Sequence, residues 1–589
     1  MRRRAWLAAC SSVFNCCVIV ALDAAANAAT VNTTSGELVG TLKRAPSGRD
    51  VLAFLGVPFG RAPMYEQRFL PPQRFVADRT ARPLLCDTPA STCASALDTS
   101  FPGFRGAEMW NGQNVTENCL SLNLWRPEPG HSKMDGTVLV WIYGGGYFSG
   151  SPSLDLYDGA TLADETGVVV VNINYRLGPF GFLYLNEDSG PAGNMGLLDQ
   201  QLALEWVHDN VAQFGGSPDR VTIVGESSGG ASVAFHLLNA VSRRYFLRAV
   251  LQSGSAFNPW ASASAADMRK RSLRLVERLR CSSTGRQSPR VVSSCLRRIL
   301  DHKKIQRGTD GMATDRFMQF NFVATSEKAA FFEHGLCNAV DALSAGGTGG
   351  GKEVLVGTNA DEGSYWLPYF LPKHGFAFNH SLDADADGNA ARIDRAQFDA
   401  AARAVFGEYQ RSESGLEAVK AAYLALFQSR HRLEQRTAYR DAISRAVSDF
   451  FFTCDVLRFA DALSEQGVSV YSYYFNQRST PNQWPQWMGV MHGYEIEYIF
   501  GVPIRKPSEY TASERRFSRA IMKIWTDFAR FGVGEALNKA SCATLRAHMR
   551  LLSCPPTEAA QAGVTSRPRL ADLVVVVVCA LLRWKDAHH

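Results

Sequence analysis

The stretch VTIVGESSGGASVAFHLLN at residues 221–239 decides the fold prediction, because a strand pattern changes to a helix pattern around one serine. VTIV is a short apolar run typical of a buried strand, and ASVAFHLLN reads as a helix. Between them, GESSG at 225–229 is a G-x-S-x-G motif in the strand–turn–helix setting that a nucleophile elbow requires. The two glycines permit a tight turn. The stretch therefore predicts Ser227 as a nucleophile at a helix N-terminus, where free N–H groups favour developing negative charge.

Similar apolar runs recur on both sides of this stretch and alternate with helical patterns such as LLDQQLALEWVHDNVAQF at 197–214. They are VLVWIY at 138–143, VVVVNINY at 168–175, AVLQSG at 249–254, EVLVGTN at 353–359 and VSVYSYYF at 468–475. Continuous apolar strands separated by helices indicate a parallel sheet that is buried on both faces. We predict an α/β fold with a mostly parallel, doubly wound central sheet and helices on both faces. In such sheets the active site lies at the carboxyl ends of the strands.

A run of three glycines, Gly144 to Gly146, directly follows the strand VLVWIY. Most glycine runs are flexible turns. At the end of an earlier strand, however, enzymes with a nucleophile elbow place the N–H groups that bind the oxyanion. We predict the backbone N–H groups of Gly145, Gly146 and Ser228 as these donors. Ser228 is also the alternative nucleophile. Because it directly follows Ser227, however, its backbone N–H and not its hydroxyl is expected to face the oxyanion.

Length and composition support one large folded unit and exclude wholesale disorder, since 46% of the 589 residues are hydrophobic and 20% are charged. Residues 1–28 resemble a secretory signal peptide, with a basic start, an apolar stretch and an Ala-Asn-Ala cleavage site at 26–28. Its removal lowers the formal net charge from +6 to +4, which is too small to indicate a nucleic-acid partner. We expect a catalytic domain at 29–532 and a divergent, mobile tail at 533–589.

Export implies an oxidising compartment, so disulfides are expected. Proximity in sequence predicts Cys93–Cys119 and Cys281–Cys295, with Cys86 as the alternative partner of Cys119. Glycosylation sequons begin at Asn32, Asn114 and Asn379. No metal ion and no cofactor are predicted.

Three motifs make the chain similar to the type-B carboxylesterase and cholinesterase family: FGGSPDRVTIVGESSGG at 214–230, ENCLSLNLW at 117–125 and WIYGGGYFSG at 141–150. The similarity runs from about Val31 to Phe531. It implies an α/β-hydrolase fold, an esterase activity and a Ser–Glu–His triad in that chain order. It also implies a small-molecule choline ester such as acetylcholine as the substrate and a secreted or extracellular protein, including synaptic or cell-surface sites.

The resemblance carries the acid of the triad to Glu362, in GTNADEGSYW at 357–366, and the base to His492, in WPQWMGVMHGYEIEYIFG at 484–501. Asp361 is the alternative acid, but the family pattern places the acid at the second of the two positions. His492 would take the proton from Ser227, Glu362 would orient the imidazole, and water would release the acyl group. Activity is then expected to rise through the pKa of His492 toward neutral pH.

Two other functions share this fold. A general carboxylesterase would act on uncharged esters, and a non-catalytic adhesion protein of the neuroligin type would lack the nucleophile. The presence of Ser227, Glu362 and His492 disfavours the second. The choice between the two enzymes depends on the wall of the site, because a quaternary ammonium is held by aromatic faces and carboxylates and not by hydrogen bonds.

The resemblance provides such a wall for choline. The implied substrate-binding residues are Trp110, Tyr365, Tyr369 and Trp484, with Glu226 beside the nucleophile and Asp98 at the entrance. Ala96 replaces an aromatic residue usual in vertebrate enzymes, so the affinity of the entrance is expected to differ.

For the acyl pocket, the segment FMQFNFV at 317–323 places Met318 and Phe320 at two positions that are usually phenylalanine. A flexible thioether in place of a ring leaves room for extra methylenes. We therefore predict a wider pocket that accepts butyryl or propionyl esters, and that Met318→Phe narrows it toward acetyl.

The tail lacks the usual family pattern. In the family, Cys454 pairs with a cysteine near the end of the body, and the later candidates here are Cys542, Cys554 and Cys579. If none pairs, a free thiol or lower stability follows, and we expect a defective end of this kind. A homodimer is compatible with the family, but no anchor for membrane attachment is recognisable in the tail. The run LVVVVVCALL at 573–582 is too short for a membrane span.

Overall fold

The computed structural model describes residues 29–532, apart from 79–81, 129–132, 189, 283–287, 313, 315, 333–334, 337–350, 410–411 and 429–434, together with 574–575. The predicted signal peptide and the candidate partners of Cys454 lie outside the described residues. So does the tail, except for Val574–Val575. The predicted domain limits therefore stay a prediction.

The strands are short, as in most α/β folds. They are β1 (Thr30–Thr33), β2 (Gly36–Val39), β3 (Thr41–Arg44), β4 (Asp50–Pro58), β5 (Leu84–Leu85), β6 (Ser121–Pro127), β7 (Val138–Ile142), β8 (Val169–Ile173), β9 (Val221–Glu226), β10 (Arg248–Gln252), β11 (Ser262–Ala263), β12 (Ala324–Thr325), β13 (Glu353–Asn359), β14 (Ser469–Phe475) and β15 (Val574–Val575).

Most of the α-helices lie between successive strands of the chain, and the last three follow β14. The helices are Arg105–Glu108, Ala160–Thr166, Gly178–Phe182, Met195–Asn210, Ser228–Leu238, Ala265–Arg278, Pro289–Arg297, His302–Thr309, Leu367–Phe370, Arg395–Phe406, Glu413–Gln428, Gln435–Ser448, Cys454–Glu465, Ile496–Ile499, Val502–Arg505 and Ala512–Phe531. A π-helical turn, Asp449–Thr453, joins two of them. The last helix begins with a capping box between Thr511 and Glu514.

One large mixed sheet runs through the molecule in the spatial order β15-β14-β13-β10-β9-β7-β8-β6-β4-β3. The strands from β15 to β8 pair in parallel, and β8, β6, β4 and β3 pair antiparallel. β7, β8 and β9 are buried at every residue, because helices cover both faces of the sheet. The α/β prediction is therefore confirmed.

The connections place five polar or flexible segments at one edge of this sheet. β7 leads into the glycine run, β9 into Ser227, β10 into Ser253, β13 into Glu362, and β14 into the loop that carries His492. Since the strands are parallel, all of their carboxyl ends point to the same edge. The fold thus gathers residues that are up to about 350 positions apart in sequence.

Two disulfides confirm the predicted pairs. Cys93–Cys119 closes a loop with a sequence separation of 26 residues, and Cys281–Cys295 one of 14. Cys86, the alternative partner, is a free and buried thiol. Within the described part of the chain, no helix is long and apolar enough to cross a membrane.

Candidate active site

Ser227 lies between β9 and the helix Ser228–Leu238 in a strained backbone conformation, with φ of +58° and ψ of −123°. The turn needs its two glycines. A Cβ at position 225 would lie 2.4 Å from the carbonyl carbon of Gly229, and a Cβ at position 229 would lie 2.0 Å from the oxygen of Ile142. Residues are forced into such φ values only where the surroundings over-determine them, and such strain is typical of functional sites. The predicted elbow is therefore present at Ser227.

His492 and Glu362 form a buried pair. The Nδ1 atom of His492 lies 2.6 Å from Oε2 of Glu362 in a hydrogen bond. The other carboxylate oxygen, Oε1, accepts from the backbone N–H of Asn359 at 2.7 Å and from the hydroxyl of Ser253 at 2.5 Å. Glu362 is fully buried. Its carboxylate is thus held on both oxygens, which fixes the ring of His492 with Nε2 free to act on a substrate.

Ser253 is a site residue that our sequence reasoning missed. It follows β10 directly and has a left-handed φ of +52°, so its side chain meets Glu362 from a neighbouring strand. The only available signal was a polar residue at the end of the apolar run AVLQSG at 249–254. That signal places Ser253 at the edge of the sheet but does not identify Glu362 as its hydrogen-bond partner.

Asp361, the alternative acid, has a different task. Its Oδ2 atom accepts a hydrogen bond from the backbone N–H of Val490 at 2.9 Å, and its own N–H donates to the carbonyl of Val490 at 3.0 Å. These bonds tie the end of β13 to the loop that precedes His492. Asp361 therefore supports the loop, while Glu362 contacts the imidazole.

Glu226 approaches the other side of the imidazole. Its Oε1 atom lies 3.2 Å from Nε2 of His492, although the two groups are not aligned for a hydrogen bond. Within the described residues Nε2 has no hydrogen-bond partner, and so it makes no hydrogen bond to Ser227. Catalytic hydrogen bonds are often long in free enzymes and tighten when the substrate binds.

The charges around His492 shift its titration. Burial would lower the pKa of the imidazole, but the carboxylates of Glu226 and Glu362 outweigh burial and raise the pKa to about 9. Burial raises the pKa of Glu226 to about 8; His492 opposes this shift, and Glu495 and Glu362 add to it. The rise of activity with pH is therefore expected above neutral pH, at a higher pH than the sequence alone suggested.

The glycine run packs directly against the elbow. A Cβ at Gly144 would lie 2.9 Å from the Cβ of Ser227, so only a glycine brings this backbone close enough. Gly145 and Gly146 have φ of +107° and +60°. Ser228 is the first residue of the helix that follows the nucleophile, where N–H groups are free of helical partners. Gly145 lines the same cavity as Ser227, and Ser228 follows Ser227 directly; the oxyanion-donor role of Gly145, Gly146 and Ser228 stays a prediction.

A cavity of about 500 Å³ opens onto these groups. Ser227, Glu226, His492 and Gly145 line its floor. Two further carboxylates, Asp98 and Asp310, line it, and among the described lining residues there is no lysine or arginine. The cavity therefore offers a negative and partly aromatic wall, which suits a cation.

Three of the predicted choline-binding aromatic residues, Trp110, Tyr365 and Tyr369, line this cavity. A Cβ at Gly493 would lie 3.1 Å from the ring edge of Trp110 and 3.6 Å from Oε1 of Glu226, so the indole and the carboxylate border the same small space. At the entrance, the hydroxyl of Tyr369 donates to Oδ2 of Asp98 at 2.8 Å. The hydroxyls of Tyr365 and Tyr369 lie 3.3 Å apart.

The fourth predicted aromatic residue, Trp484, lies elsewhere. It is 1% exposed in an apolar cluster with Phe101, Phe104 and Met488, and its ring packs edge-to-face against Tyr365 at 5.7 Å between centroids. Trp484 thus supports a wall residue from behind. The indole N–H of Trp484 donates to the carbonyl of Gly106 at 3.4 Å, which links Trp484 to the helix Arg105–Glu108.

The two predicted acyl-pocket residues, Phe320 and Met318, lie in different environments. Phe320 lines the cavity and packs against Phe148 and Trp366, with centroids 5.2 Å and 6.0 Å away. Met318 is 1% exposed within the main core and has a left-handed φ of +51°. Met318 belongs to the main core and is not among the residues that line the cavity, so the structure does not support a wider pocket through Met318. Trp366 lines the cavity, and its ring centroid lies 5.5 Å from that of His492.

The remaining predicted sites lie away from the cavity. Asn32, Asn114 and Asn379 are exposed. Cys454 is disulfide-bonded, so our expectation of a defective end with a free Cys454 was wrong. No group of three or more His, Cys, Asp or Glu side chains in the described part of the chain is arranged to hold a metal ion.

Comparison with known proteins agrees with this geometry. Residues 27–549 match the Carboxylesterase family. The chain is also 38% identical over 499 residues to a protein named Acetylcholinesterase 4 from Caenorhabditis briggsae, covering 82% of this chain and 78% of that protein. The chain therefore belongs to the carboxylesterase family and is a carboxylic ester hydrolase.

Proposed function

We propose that this protein hydrolyses choline esters, with acetylcholine as the substrate, through an acyl-serine intermediate formed on Ser227. The observation that carries the proposal is the pairing of His492 with Glu362 at 2.6 Å beside a strained serine, in a cavity that also contains Trp110 and Glu226. The similarity to a protein named acetylcholinesterase supports the same choice of substrate.

In the proposed reaction, Nε2 of His492 accepts the proton of the Ser227 hydroxyl as Oγ attacks the ester carbonyl. The N–H groups of Gly145, Gly146 and Ser228 bind the oxyanion, and each such donor is worth about 3 kcal/mol in comparable sites. His492 then protonates the leaving choline. Water, activated by the same imidazole, releases the acid.

Choline would bind against the indole of Trp110, with the carboxylate of Glu226 adding negative charge. A desolvated cation–π contact contributes up to about 2 kcal/mol. Asp98 and Tyr369, which are hydrogen-bonded at the entrance, would attract the cation first. The absence of lysine and arginine among the described lining residues supports this path.

Reactivity with a fluorophosphonate probe tests whether Ser227 is an activated nucleophile. We expect stoichiometric labelling of the full-length protein and none in Ser227→Ala, together with a loss of turnover by about a millionfold. Ester turnover retained by folded Ser227→Ala would refute the triad. Absence of labelling in the unmodified protein would favour a non-catalytic adhesion protein.

A second measurement separates a cholinesterase from a general carboxylesterase. The ratio of kcat/KM for acetylcholine over its uncharged isostere, 3,3-dimethylbutyl acetate, should be high and should fall about thirtyfold in Trp110→Ala. A matched control is Trp484→Phe, because Trp484 packs behind the wall and should leave the ratio unchanged. Equal losses for both substrates in Trp110→Ala would instead favour a carboxylesterase.

The proposal includes an extracellular location. The disulfides Cys93–Cys119 and Cys281–Cys295 support an oxidising compartment, and exposed sequons at Asn32, Asn114 and Asn379 would then be glycosylated. Secretion of glycosidase-sensitive protein from transfected cells tests this part. A homodimer and a synaptic site remain part of the same proposal.

A further inference from the structure

Both ends of the glycine run Gly144–Gly146 are tied to hydroxyl groups. At its carboxyl end, the backbone N–H of Tyr147 donates a hydrogen bond to Oγ of Ser228 at 3.3 Å. At its amino end, the hydroxyl of Tyr175 donates to the carbonyl of Tyr143 at 2.8 Å. One pair of side chains therefore brackets the three glycines.

This bracket is shielded from solvent. Ser228, Tyr147, Tyr175 and Tyr143 are all fully buried, and the rings of Tyr143 and Tyr175 stack with centroids 4.6 Å apart. The glycines between them have no side chains to fix their backbone. The N–H groups of Phe148 and Ser149 hold the carbonyl of Gly145, and the N–H directions of the run depend further on how its two ends are held. Tyr147 itself has a left-handed φ of +64°, which requires a stabilising partner.

We propose that the Ser228 hydroxyl, acting with Tyr175, is a positioning group that sets the oxyanion-binding N–H groups of the glycine run relative to Ser227. The inference rests on the proposed function, because it assumes that these N–H groups bind the oxyanion. It assigns a second role to Ser228. Its N–H group is a donor to the oxyanion, whereas its Oγ atom holds the opposite wall of the oxyanion site in place.

The expected loss of turnover in Ser228→Ala can be estimated from the interactions that the substitution removes. Removing one oxyanion donor lowers turnover about 100- to 1000-fold, and a misplacement of about 1 Å can lower it 100-fold. Ser228→Ala keeps every donor and loses only one long hydrogen bond. We therefore expect kcat to fall about tenfold, with KM within about twofold, because the substrate itself is not contacted by Oγ.

The test compares Ser228→Ala and Tyr175→Phe in the purified full-length protein. Tyr175→Phe keeps the ring that stacks on Tyr143 and removes only the hydroxyl. Ser272→Ala is the matched control, since Ser272 is equally buried and its Oγ atom likewise accepts from a tyrosine backbone N–H, that of Tyr184 at 3.1 Å, away from the cavity. We expect both test variants to lose turnover and Ser272→Ala to stay within about twofold.

Two ligands distinguish positioning from general damage. A trifluoromethyl ketone, which forms an oxyanion-like adduct with the serine, should bind about tenfold more weakly to Ser228→Ala. Tetramethylammonium, which would contact Trp110 and not the oxyanion site, should keep its affinity.

The inference is overturned if Ser228→Ala and Ser272→Ala have equal turnover, or if both ligands bind more weakly to Ser228→Ala by the same factor. Should Ser228→Ala unfold, Tyr175→Phe decides by the same criteria. Failure of the proposed function would be seen separately, as turnover retained by Ser227→Ala.

Discussion

Replacing Glu226 by glutamine should move the pH dependence of activity to lower pH. His492 must be neutral to accept a proton, so kcat/KM rises as pH passes its pKa. Burial works against the imidazolium, whereas Glu226 and Glu362 stabilise it and raise the pKa of His492 to about 9. Removing the negative charge of Glu226 destabilises the imidazolium, lowers its pKa and makes the base available at lower pH.

The structure sets the scale of this shift. The two groups are 3.2 Å apart and buried, and at an effective dielectric constant of about 20 two unit charges at that distance interact by about 5 kcal/mol. Only part of this is expressed, because burial also raises the pKa of Glu226 to about 8 and so limits its ionisation. With about 1.4 kcal/mol per pKa unit, we expect a shift of about one to two units.

The assay is the pH profile of kcat/KM for phenyl acetate, an uncharged ester whose binding does not depend on the charge of Glu226. Asp98→Asn is the matched control. Asp98 lines the same cavity, but its carboxylate is not among the groups that shift the pKa of His492. The profile of Asp98→Asn should not move. An unmoved or alkaline-shifted profile for Glu226→Gln would refute the role assigned to Glu226, whatever happens to choline esters.

Three further predictions concern single contacts. Ser253→Ala should lower kcat about tenfold with little change in KM, because a hydrogen bond to a charged group is worth about 1.5 to 3 kcal/mol and here it orients Glu362; unchanged kcat would make Ser253 a packing residue. Met318→Phe should lower the free energy of unfolding by about 1 to 3 kcal/mol, because the larger ring overpacks the core, and should leave the butyryl-to-acetyl ratio of kcat/KM unchanged. A lower ratio in a variant of unchanged stability would indicate instead that Met318 lines the acyl pocket. Replacing both cysteines of the Cys281–Cys295 disulfide by serine should lower the free energy of unfolding by about 3 kcal/mol, since the bond closes a short loop; an unchanged urea midpoint would contradict this.

Local patterns predicted the parts of the site that depend on neighbours in sequence. The run from Val221 to Leu238 contains a strand, a glycine-flanked serine and a helix in order, so the elbow follows from the chain alone. The glycine run at 144–146 and the two short-range disulfides were likewise predicted from residues that are close in sequence. The resemblance to the family carried Glu362 and His492, which are 130 residues apart and meet only in the folded sheet.

The sequence by itself determined the fold class and indicated Ser227 as the candidate nucleophile, because strand and helix periodicity and the geometry of a tight turn act over a few residues. The class of reaction came from the resemblance to the family. Only the tertiary structure decided that Ser253 completes the support of Glu362, that Glu226 touches the free side of His492, and that Trp484 and Met318 point into packed clusters. These outcomes depend on which strand lies beside which and on the backbone direction at single residues. Packing between segments that are distant in sequence decides whether such a side chain lines the cavity or enters the core. That packing leaves no short-range pattern in the sequence.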